Sequence, residues 1–368
     1  MKKCIFHYPG PIQDSPVTGS GVRPRKMLEA FYTLGFDVTV VSGYSRERKK
    51  IMRQIADNMS SGVKYEFVYS ESTTMPTALS DEDHLPRNPF MDEFFLGYCK
   101  KNNVPVGLFY RDAYWKFDYY RKSTKKWVPY VTIPFYKHEL GRYRYCVDTL
   151  FVPSNEFAEA IQYKGNFMEL PSGGVLHSPE LNCVNEGLDL FYVGGVTGIN
   201  DIKMLIQTVK KISNVTLTIC CPEDQWMSRE DLRKEAENTS NICVIHESGD
   251  GYSAYIKKAN AALVYYSRNP YRDLAMPVKL FDYIGYGKPV ISTGDTAAGR
   301  FVEDNGIGWT IGYTEAELSS LIKRLLESKT EIMEKTAEVV RIASENTWEA
   351  RARAVVENLT VKCDKIDK

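Results

Sequence analysis

Short apolar runs alternate with amphipathic segments from one end of the chain to the other. Between the first two runs, Arg23–Leu34 places its apolar residues three and four positions apart, which predicts a helix with one buried face. Alternating strands and helices are typical of parallel sheets with crossover helices. The runs of the first half that predict strands are Cys4–Tyr8, Val38–Val41, Val63–Tyr69, Val104–Phe109 and Leu150–Val152.

The same alternation starts again in the second half of the chain. Its predicted strands are Leu188–Val193, Val215–Cys220, Ile242–Ile245, Ala262–Tyr265 and Pro289–Ser292. A charged helix is predicted around Ser228–Glu237, and the stretch Leu170–Glu186 is rich in Pro and Gly, as linkers are. The pattern therefore predicts an α/β protein with two Rossmann-like domains, 1–172 and 187–345. A final helix at about 346–362 has an apolar side that needs a surface to pack on.

Composition narrows the class of protein. A length of 368 residues suits two domains, and 47 basic against 47 acidic residues give no argument for a nucleic-acid partner. The eight Cys form no CxxC pair and the five His are scattered, so no zinc site is predicted and reduced, cytoplasmic cysteines are expected. No apolar run approaches the roughly 20 residues of a membrane span, and Pro9 and Pro11 break the first run too early for a signal peptide.

The strongest candidate site is the segment 275–291. Pro277 suits the first turn of a helix, and the free amides of that turn can hold a diphosphate. Lys279 adds a positive charge to the same turn, and Asp282 follows with a carboxylate that can accept hydrogen bonds from both hydroxyls of a ribose. The alternative is an amphipathic helix that exposes an Asp and a Lys without function.

A second candidate is the loop after the first strand. Gly19, Ser20 and Gly21 precede the predicted helix that starts near Arg23, where glycines allow close approach and the helix N-terminus favours anions. The alternative is an ordinary turn, because GxG before a helix is common.

The segment Pro277–Ile291 resembles the nucleotide-sugar motif of GT-B glycosyltransferases, in particular glycosyltransferase family four, whose usual form is P-x-K-L-F-E-Y followed by G-K-P-V-I. The resemblance extends to Gly19–Val22, to Leu34–Val40, to Phe191–Gly195 and to Asn346–Glu349, and so covers nearly the whole chain. It implies two Rossmann-like domains with a cleft between them and a C-terminal helix that crosses back to the first domain.

The resemblance also implies roles for individual residues. Asp282 would bind the ribose, and the turn Met276, Pro277, Val278 and Lys279 would hold the diphosphate. The loop that begins at His246 would face the base, Gly195 would end the opening donor strand, and Gly19, Ser20 and Gly21 would close on the phosphates.

The chain departs from the family pattern at two places. Retaining members carry two glutamates with seven residues between them; Asp282 fills the second place, and this chain has Leu274 at the first, so either the loop presents the neighbouring Asp273, or that contact to the sugar is absent. Many members also have a His near the reacting centre, where this chain has Arg111 and Asp112. Asp112 could act as the base for an acceptor hydroxyl or hold a sugar hydroxyl, and Arg111 could neutralise the leaving diphosphate; alternatively the two brace a loop. His138 is a further candidate, whereas His7 is expected to be structural.

No metal ligand set is predicted. The acidic triplet Asp81-Glu82-Asp83 is expected to be a solvated loop, and the helix dipole with Lys279 is expected to replace a metal, so that activity needs no cofactor.

The segment 111–144 interleaves aromatic and basic residues. Such a composition suits peripheral contact with an anionic membrane and a lipid-linked acceptor; the alternative is a solvated surface whose aromatics lie in the core. Nucleic acid is not expected there, because no nucleic-acid-binding motif accompanies it.

Together these features predict a glycosyltransferase that moves a sugar from a nucleotide-diphosphate sugar, with UDP favoured, to a saccharide or lipid-linked acceptor in polysaccharide or glycoconjugate biosynthesis. Two alternative functions use the same fold: a nucleotide-sugar 2-epimerase, and a partner subunit without catalysis. Leu274 in place of glutamate favours the second of these alternatives.

Overall fold

A computed structural model describes residues 1–14, 19–178, 187–237 and 239–360, with only the backbone of Gly19 and Ser20. The chain divides into two units. The first comprises Met1–Ser172 and the C-terminal helix, and the second comprises Gly173–Thr347.

The first unit is built on a parallel six-stranded sheet with strand order β2-β1-β3-β4-β5-β6. Its strands are β1 (Lys3–His7), β2 (Asp37–Val41), β3 (Val68–Glu71), β4 (Val106–Phe109), β5 (Thr149–Val152) and β6 (Phe167–Glu169). Its helices are α1 (Gly19–Thr33), α2 (Ser45–Ser60), α3 (Met91–Lys101), α4 (Asp118–Ser123), α5 (Val128–Cys146) and α6 (Asn155–Ile161), with short 3-10 turns at Thr77–Leu79 and Tyr114–Lys116.

The second unit repeats this construction with strand order β12-β11-β10-β7-β8-β9. Its strands are β7 (Leu188–Val193), β8 (Val215–Cys220), β9 (Ile242–Ile245), β10 (Ala261–Val264), β11 (Val290–Thr293) and β12 (Gly308–Ile311). Its helices are α7 (Lys203–Val209), α8 (Glu223–Ser228), α9 (Glu230–Ala236), α10 (Ser253–Lys258), α11 (Val278–Gly285), α12 (Ala297–Asp304), α13 (Glu315–Glu327) and α14 (Lys329–Ala343), with 3-10 turns at Gly249–Tyr252, Arg272–Leu274 and Ser344–Asn346.

Both faces of the second sheet are covered, as expected for a parallel sheet. Successive residues of β7 point to opposite sides, so Leu190 and Tyr192 pack in one apolar cluster and Phe191 in the other. The central strand β10 is accordingly apolar throughout, whereas β8 alternates Thr216 and Thr218 with apolar residues.

Helix α15 (Trp348–Thr360) belongs to the first unit, where it packs on α1 and β4. Its buried residues Trp348, Ala352, Val355 and Leu359 are the apolar side that the sequence leaves without a partner. A Cβ on Gly107 in β4 would lie 3.0 Å from a Leu359 methyl, so the small residue allows the close approach. The two-domain α/β prediction with a returning C-terminal helix is confirmed.

Several element predictions need correction. The charged helix predicted around Ser228–Glu237 is α9, but the separate helix α8 before it was not predicted, and neither were β6 and β12. Helix α1 begins at Gly19, four residues earlier than expected. Of the predicted linker, residues 179–186 lie outside the described part of the chain.

In each sheet the strand order reverses at one place, and ligands of doubly wound folds bind beside the carboxyl ends of the strands there. In the first unit this place lies between β1 and β3, and in the second between β7 and β10. Within the described residues, no helix is long and apolar enough to cross a membrane.

Candidate functional site

The N-terminus of α11 is the centre of the candidate site. The helix begins at Val278 with Pro277 as its N-cap, so the proline stands one position before the first turn where the sequence placed it. The first amides of a helix have no carbonyl partner within the helix and carry its positive partial charge. Val278 and Lys279 contribute the first two of these amides. The side chain of Met276 is buried and so fixes the extended backbone that leads into the helix.

A buried tyrosine fixes α11 at the place where the strand order reverses. The Tyr283 hydroxyl accepts a hydrogen bond from the Val193 amide (3.1 Å) at the end of β7 and lies 3.4 Å from the Leu263 carbonyl of β10. These two strands flank the reversal. The amides at the start of α11 are therefore held in register with the carboxyl ends of β7 and β10.

Lys279 reaches back over the end of β7. Its Nζ lies 4.0 Å from the centroid of the Tyr192 ring, a cation–π contact. Gly194 has a φ of 140°, and a Cβ there would lie 3.4 Å from Nζ, so glycine satisfies both the backbone and the space beside the ammonium. Burial, and then the nearby Arg272 guanidinium, lower the pKa of Lys279 to about 7.

Arg272 is the second cation, and sequence reasoning missed it. The Arg272 guanidinium lies 3.7 Å from the centroid of the Tyr266 ring, and it donates a hydrogen bond to the Ile199 carbonyl. Burial lowers the pKa of Arg272. Within the part of the chain that the structure describes, no carboxylate forms an ion pair with Arg272 or Lys279. Two desolvated positive charges without a counterion are what an anion-binding site requires.

Asp282 lies one turn after Val278 on α11 and is half-buried. Burial, and then the Asp282 carboxylate, raise the pKa of Tyr252, so the two side chains are electrostatic neighbours. Tyr252 in turn lies near Phe191 of β7, with ring centroids 5.8 Å apart. The carboxylate thus stands beside an aromatic wall, close to the helix that carries Lys279.

The remaining donor-side candidates have clear local roles. A Cβ on Gly195 would lie 2.9 Å from the Gln225 side-chain oxygen, which accepts a hydrogen bond from the Val196 amide (3.0 Å), so glycine leaves room for this side chain. His246 follows β9 and is exposed, and its Nδ1 donates to the Cys221 carbonyl (2.8 Å), which leaves Nε2 as the other ring nitrogen for a ligand.

Asp273 is engaged with its own loop. One carboxylate oxygen accepts hydrogen bonds from Arg268 (3.3 and 3.2 Å) and the other accepts from the Asn269 amide (3.2 Å). Arg268 also pairs with Asp295 (3.0 Å). The loop that could present Asp273 in place of the missing glutamate thus holds this carboxylate in a salt bridge.

In the first unit, Arg111 and Asp112 follow β4, as expected. Arg111 pairs with Glu71 (3.0 Å), which is fully buried and also pairs with Arg23 (3.3 Å). Asp112 accepts a hydrogen bond from the Tyr114 amide (2.9 Å), which closes a tight turn. Gly19, Ser20 and Gly21 form the first turn of α1 itself, and the expectation of a loop at these positions is wrong.

A buried polar network lies at the reversal point of the first sheet. His7 forms hydrogen bonds through Nε2 with the Asp92 carboxylate (2.8 Å) and through Nδ1 with the Ser70 hydroxyl (2.7 Å). Arg48 donates two hydrogen bonds to the same Asp92 carboxylate (2.8 and 3.0 Å). Burial alone would raise the pKa of Asp92, but the bonds from His7 and Arg48 outweigh it and lower the pKa. All four side chains are buried, so the structural role expected for His7 fits its surroundings.

The acidic triplet 81–83 is not a solvated loop at its first position. Asp81 is buried and accepts hydrogen bonds from the Ser45 amide and hydroxyl (2.6 Å each), so it caps the start of α2. The partner lies 36 positions away, and no local pattern reveals it. Among the described residues, no group of three or more His, Cys, Asp and Glu side chains could hold a metal ion; metal independence remains a prediction.

No protein-family profile matches the chain, and no curated protein matches it by sequence. Solved structures do match along nearly the whole length. Sucrose-phosphate synthase from Thermosynechococcus elongatus has 13% identity and a TM-score of 0.64, over 96% of this chain and 97% of that one. Alr3699/HepE from Anabaena, solved in complex with UDP and glucose, has 13% identity and a TM-score of 0.63, over 98% of this chain and 100% of that one.

A third similar structure is WaaG, a glycosyltransferase involved in lipopolysaccharide biosynthesis, with 13% identity and a TM-score of 0.55 over 98% of this chain and 99% of that one. All three neighbours are GT-B glycosyltransferases. At such low identity they establish the architecture alone, and membership of glycosyltransferase family four stays a prediction. The chain therefore has the GT-B fold, with two Rossmann-like α/β units and the second of them carrying the candidate anion site.

Proposed function

We propose that the chain is a glycosyltransferase that uses a nucleoside diphosphate sugar, with a UDP-sugar favoured, as its donor. The observation that carries the proposal is the pair of cations without counterions, Lys279 and Arg272, beside the N-terminus of α11 at the strand reversal of the second unit. A diphosphate supplies the negative charge that this place lacks. Similar structures that were solved with UDP or UDP-glucose support the same donor class.

Each residue then has a chemical role in the proposed reaction. The amides of Val278 and Lys279, the Lys279 ammonium and the Arg272 guanidinium stabilise the negative charge that develops on the departing diphosphate. Asp282 accepts hydrogen bonds from the ribose hydroxyls, and the loop at His246 faces the base. In the first unit, Asp112 accepts the proton of the acceptor hydroxyl.

A metal-free thermal-shift titration with UDP, GDP and ADP tests the donor site. A ligand at about one hundred times its dissociation constant adds roughly 2.7 kcal/mol of apparent stability. We expect a shift with UDP in the wild type, loss of the shift in Asp282→Ala, and an unchanged shift in the control Asp304→Ala, whose carboxylate is exposed at the end of α12. No shift with any nucleotide would refute the donor assignment.

Turnover separates transfer from the two rival functions. A transferase releases UDP at a rate that depends on the acceptor, whereas a 2-epimerase changes the sugar without an acceptor, and a partner subunit binds without releasing UDP. We expect transfer to persist in excess chelator, because helix amides and two cations occupy the role of a metal. Loss of activity in chelator would contradict metal independence.

We further propose a saccharide or lipid-linked acceptor, polysaccharide or glycoconjugate assembly as the process, and a cytoplasmic location at the inner face of a membrane. The exposed basic and aromatic surface of the first unit supports this placement.

A further inference from the structure

The segment 111–144 is strongly basic in a chain whose net charge is zero. It contains nine Lys and Arg against three Asp and Glu, whereas the whole chain has 47 of each sign. One of the three acids, Glu139, is buried. The segment therefore carries six more basic than acidic residues (nine minus three) in a chain that is neutral as a whole.

The structure divides the aromatic residues of this segment into two groups. Trp115, Tyr120 and Tyr136 form a buried cluster with Ile133, in which Trp115 stacks on Tyr136 (5.4 Å, 4°). Trp127 and Tyr130 are instead 62% and 77% exposed. The expectation of aromatics in the core therefore holds for the first group only, and the second group needs another explanation.

The exposed group forms one surface with the lysines. Lys122 lies in the last turn of α4, and Tyr130 and Val131 lie in the first turn of α5. The connection between the two helices contains Lys125, Lys126 and Trp127. We name these six residues the α4–α5 face; all of them are exposed. The face has a rigid base, because the Tyr120 hydroxyl bonds the Thr132 hydroxyl (2.5 Å) and so ties α4 to α5.

A second apolar patch lies beside the same helix. The Phe90 ring lies 5.0 Å from the ring of His138 on α5, and Phe94 follows one turn later on α3 with 67% of its side chain exposed. The exposed side of α5 is thus bordered by phenylalanines as well as by lysines.

We propose that the α4–α5 face binds the surface of an anionic lipid bilayer. Trp and Tyr are enriched at the membrane–water interface, and Lys can keep its ammonium among headgroups while its methylenes cover apolar surface. A protein partner fits less well, because Lys is depleted in protein–protein interfaces. This inference rests on the membrane location proposed above and assigns it to one face; it does not depend on the donor site, which lies in the other unit, so a failure of vesicle binding would leave the UDP-induced thermal shift unchanged.

Vesicle sedimentation tests the proposal on the full chain. We expect binding to vesicles of phosphatidylcholine with phosphatidylserine and little binding to phosphatidylcholine alone. Since each lysine near an anionic surface contributes about fivefold in affinity, Lys122→Glu/Lys125→Glu/Lys126→Glu should lower the partition coefficient by about a hundredfold or more. Equal binding to both kinds of vesicle, or none to either, would overturn the proposal, and in the second case capture of a specific protein by this face would identify a protein partner instead.

Matched controls separate this face from a general effect of charge. The control Lys234→Glu/Lys258→Glu/Lys323→Glu makes the same charge change at exposed lysines of the second unit, and it should retain vesicle binding. The variant Trp127→Ser/Tyr130→Ser should weaken binding without changing the net charge, and Met227→Ser/Tyr255→Ser should not. Equal melting midpoints show that each variant folds, and equal loss in test and control variants would refute the assignment to the α4–α5 face.

Discussion

Donor binding should depend steeply on pH because Lys279 titrates near neutrality in the ligand-free protein. Its pKa is lowered to about 7, from a usual value of 10.5, by burial and then by Arg272. A bound diphosphate places negative charge beside the amine and restores the protonated form. Above pH 7, UDP must therefore bind together with a proton.

The magnitude follows from the fraction of protein that carries the ammonium. With a pKa of about 7, this fraction is about 0.1 at pH 8 and about 0.01 at pH 9, and the apparent dissociation constant rises by the inverse of the fraction. UDP should thus bind roughly ten times more weakly at pH 8, and up to roughly one hundred times more weakly at pH 9, than at pH 6 to 7. The terminal phosphate of UDP has its second pKa near 6 and gains negative charge as the pH rises, which would strengthen binding, so its own titration does not account for the fall.

Calorimetry in buffers of different ionisation enthalpy measures the proton directly. We expect uptake of about one proton per UDP at pH 8 to 9 in the wild type and little uptake at pH 6. Lys279→Arg keeps the charge at every pH and should remove both the uptake and the pH dependence, since a guanidinium does not titrate here. Lys279→Met should bind weakly at all pH values, and Lys323→Met, an exposed lysine of α13, should behave as the wild type. An affinity that is flat from pH 7 to 9 in the wild type would refute the reasoning.

Three further predictions concern single positions. Burial raises the pKa of Glu139 to about 8, and a pKa raised in the folded state stabilises the protein at low pH and loses this effect as the pH rises through 8. In urea unfolding, the wild type should therefore lose up to a few kcal/mol of stability between pH 5 and 8 relative to Glu139→Gln. Parallel pH profiles of the two proteins would contradict this. A Cβ on Gly285 would lie 2.1 Å from the Val175 carbonyl oxygen, so Gly285→Ala should lower the free energy of unfolding by about 2 kcal/mol or more. The control Gly141→Ala, in open space on α5, should raise it by about 0.5–1 kcal/mol. Equal unfolding midpoints for the two variants would show that the clash at Gly285 relaxes freely. If Asp112 is the base for the acceptor, Asp112→Asn should lower kcat by about 10²–10⁴ without changing UDP binding, and an unchanged kcat would refute the role as base.

The fold could be predicted from local patterns because its strands are buried on both faces. The predominantly apolar segments Leu188–Val193 and Val215–Cys220 coincide with the observed strands to the residue. The edge strands β6 and β12 escaped prediction for the converse reason: Phe167 is exposed and Gly308 opens β12, so neither gives a strong apolar run.

The site could be predicted only where its residues are neighbours in sequence. Lys279 and Asp282 share one helix, and the spacing of their motif is visible without a structure. Asp81 shows the opposite case, because the Ser45 residue from which it accepts its hydrogen bonds lies 36 positions away in the sequence. Arg272 escaped because its surroundings, the ring of Tyr266 and the carbonyl of Ile199, come from different loops of the second unit.

The two reversal points differ in how their charges are balanced, and this difference argues for the position of the anion site. In the first unit, Arg48 is matched by Asp92, and Arg23 and Arg111 share the single carboxylate of Glu71, so each of these three cations has an acidic partner. Removing one member of such a buried pair is costly, and these groups are therefore poorly suited to exchange partners for a ligand. In the second unit, Lys279 and Arg272 repel each other with aromatic faces as their neighbours, an arrangement that raises the free energy of the empty site. A bound diphosphate relieves this repulsion, so the same electrostatics that destabilise the empty site favour the nucleotide, and the greater gain in affinity is expected for the ligand with the greater negative charge.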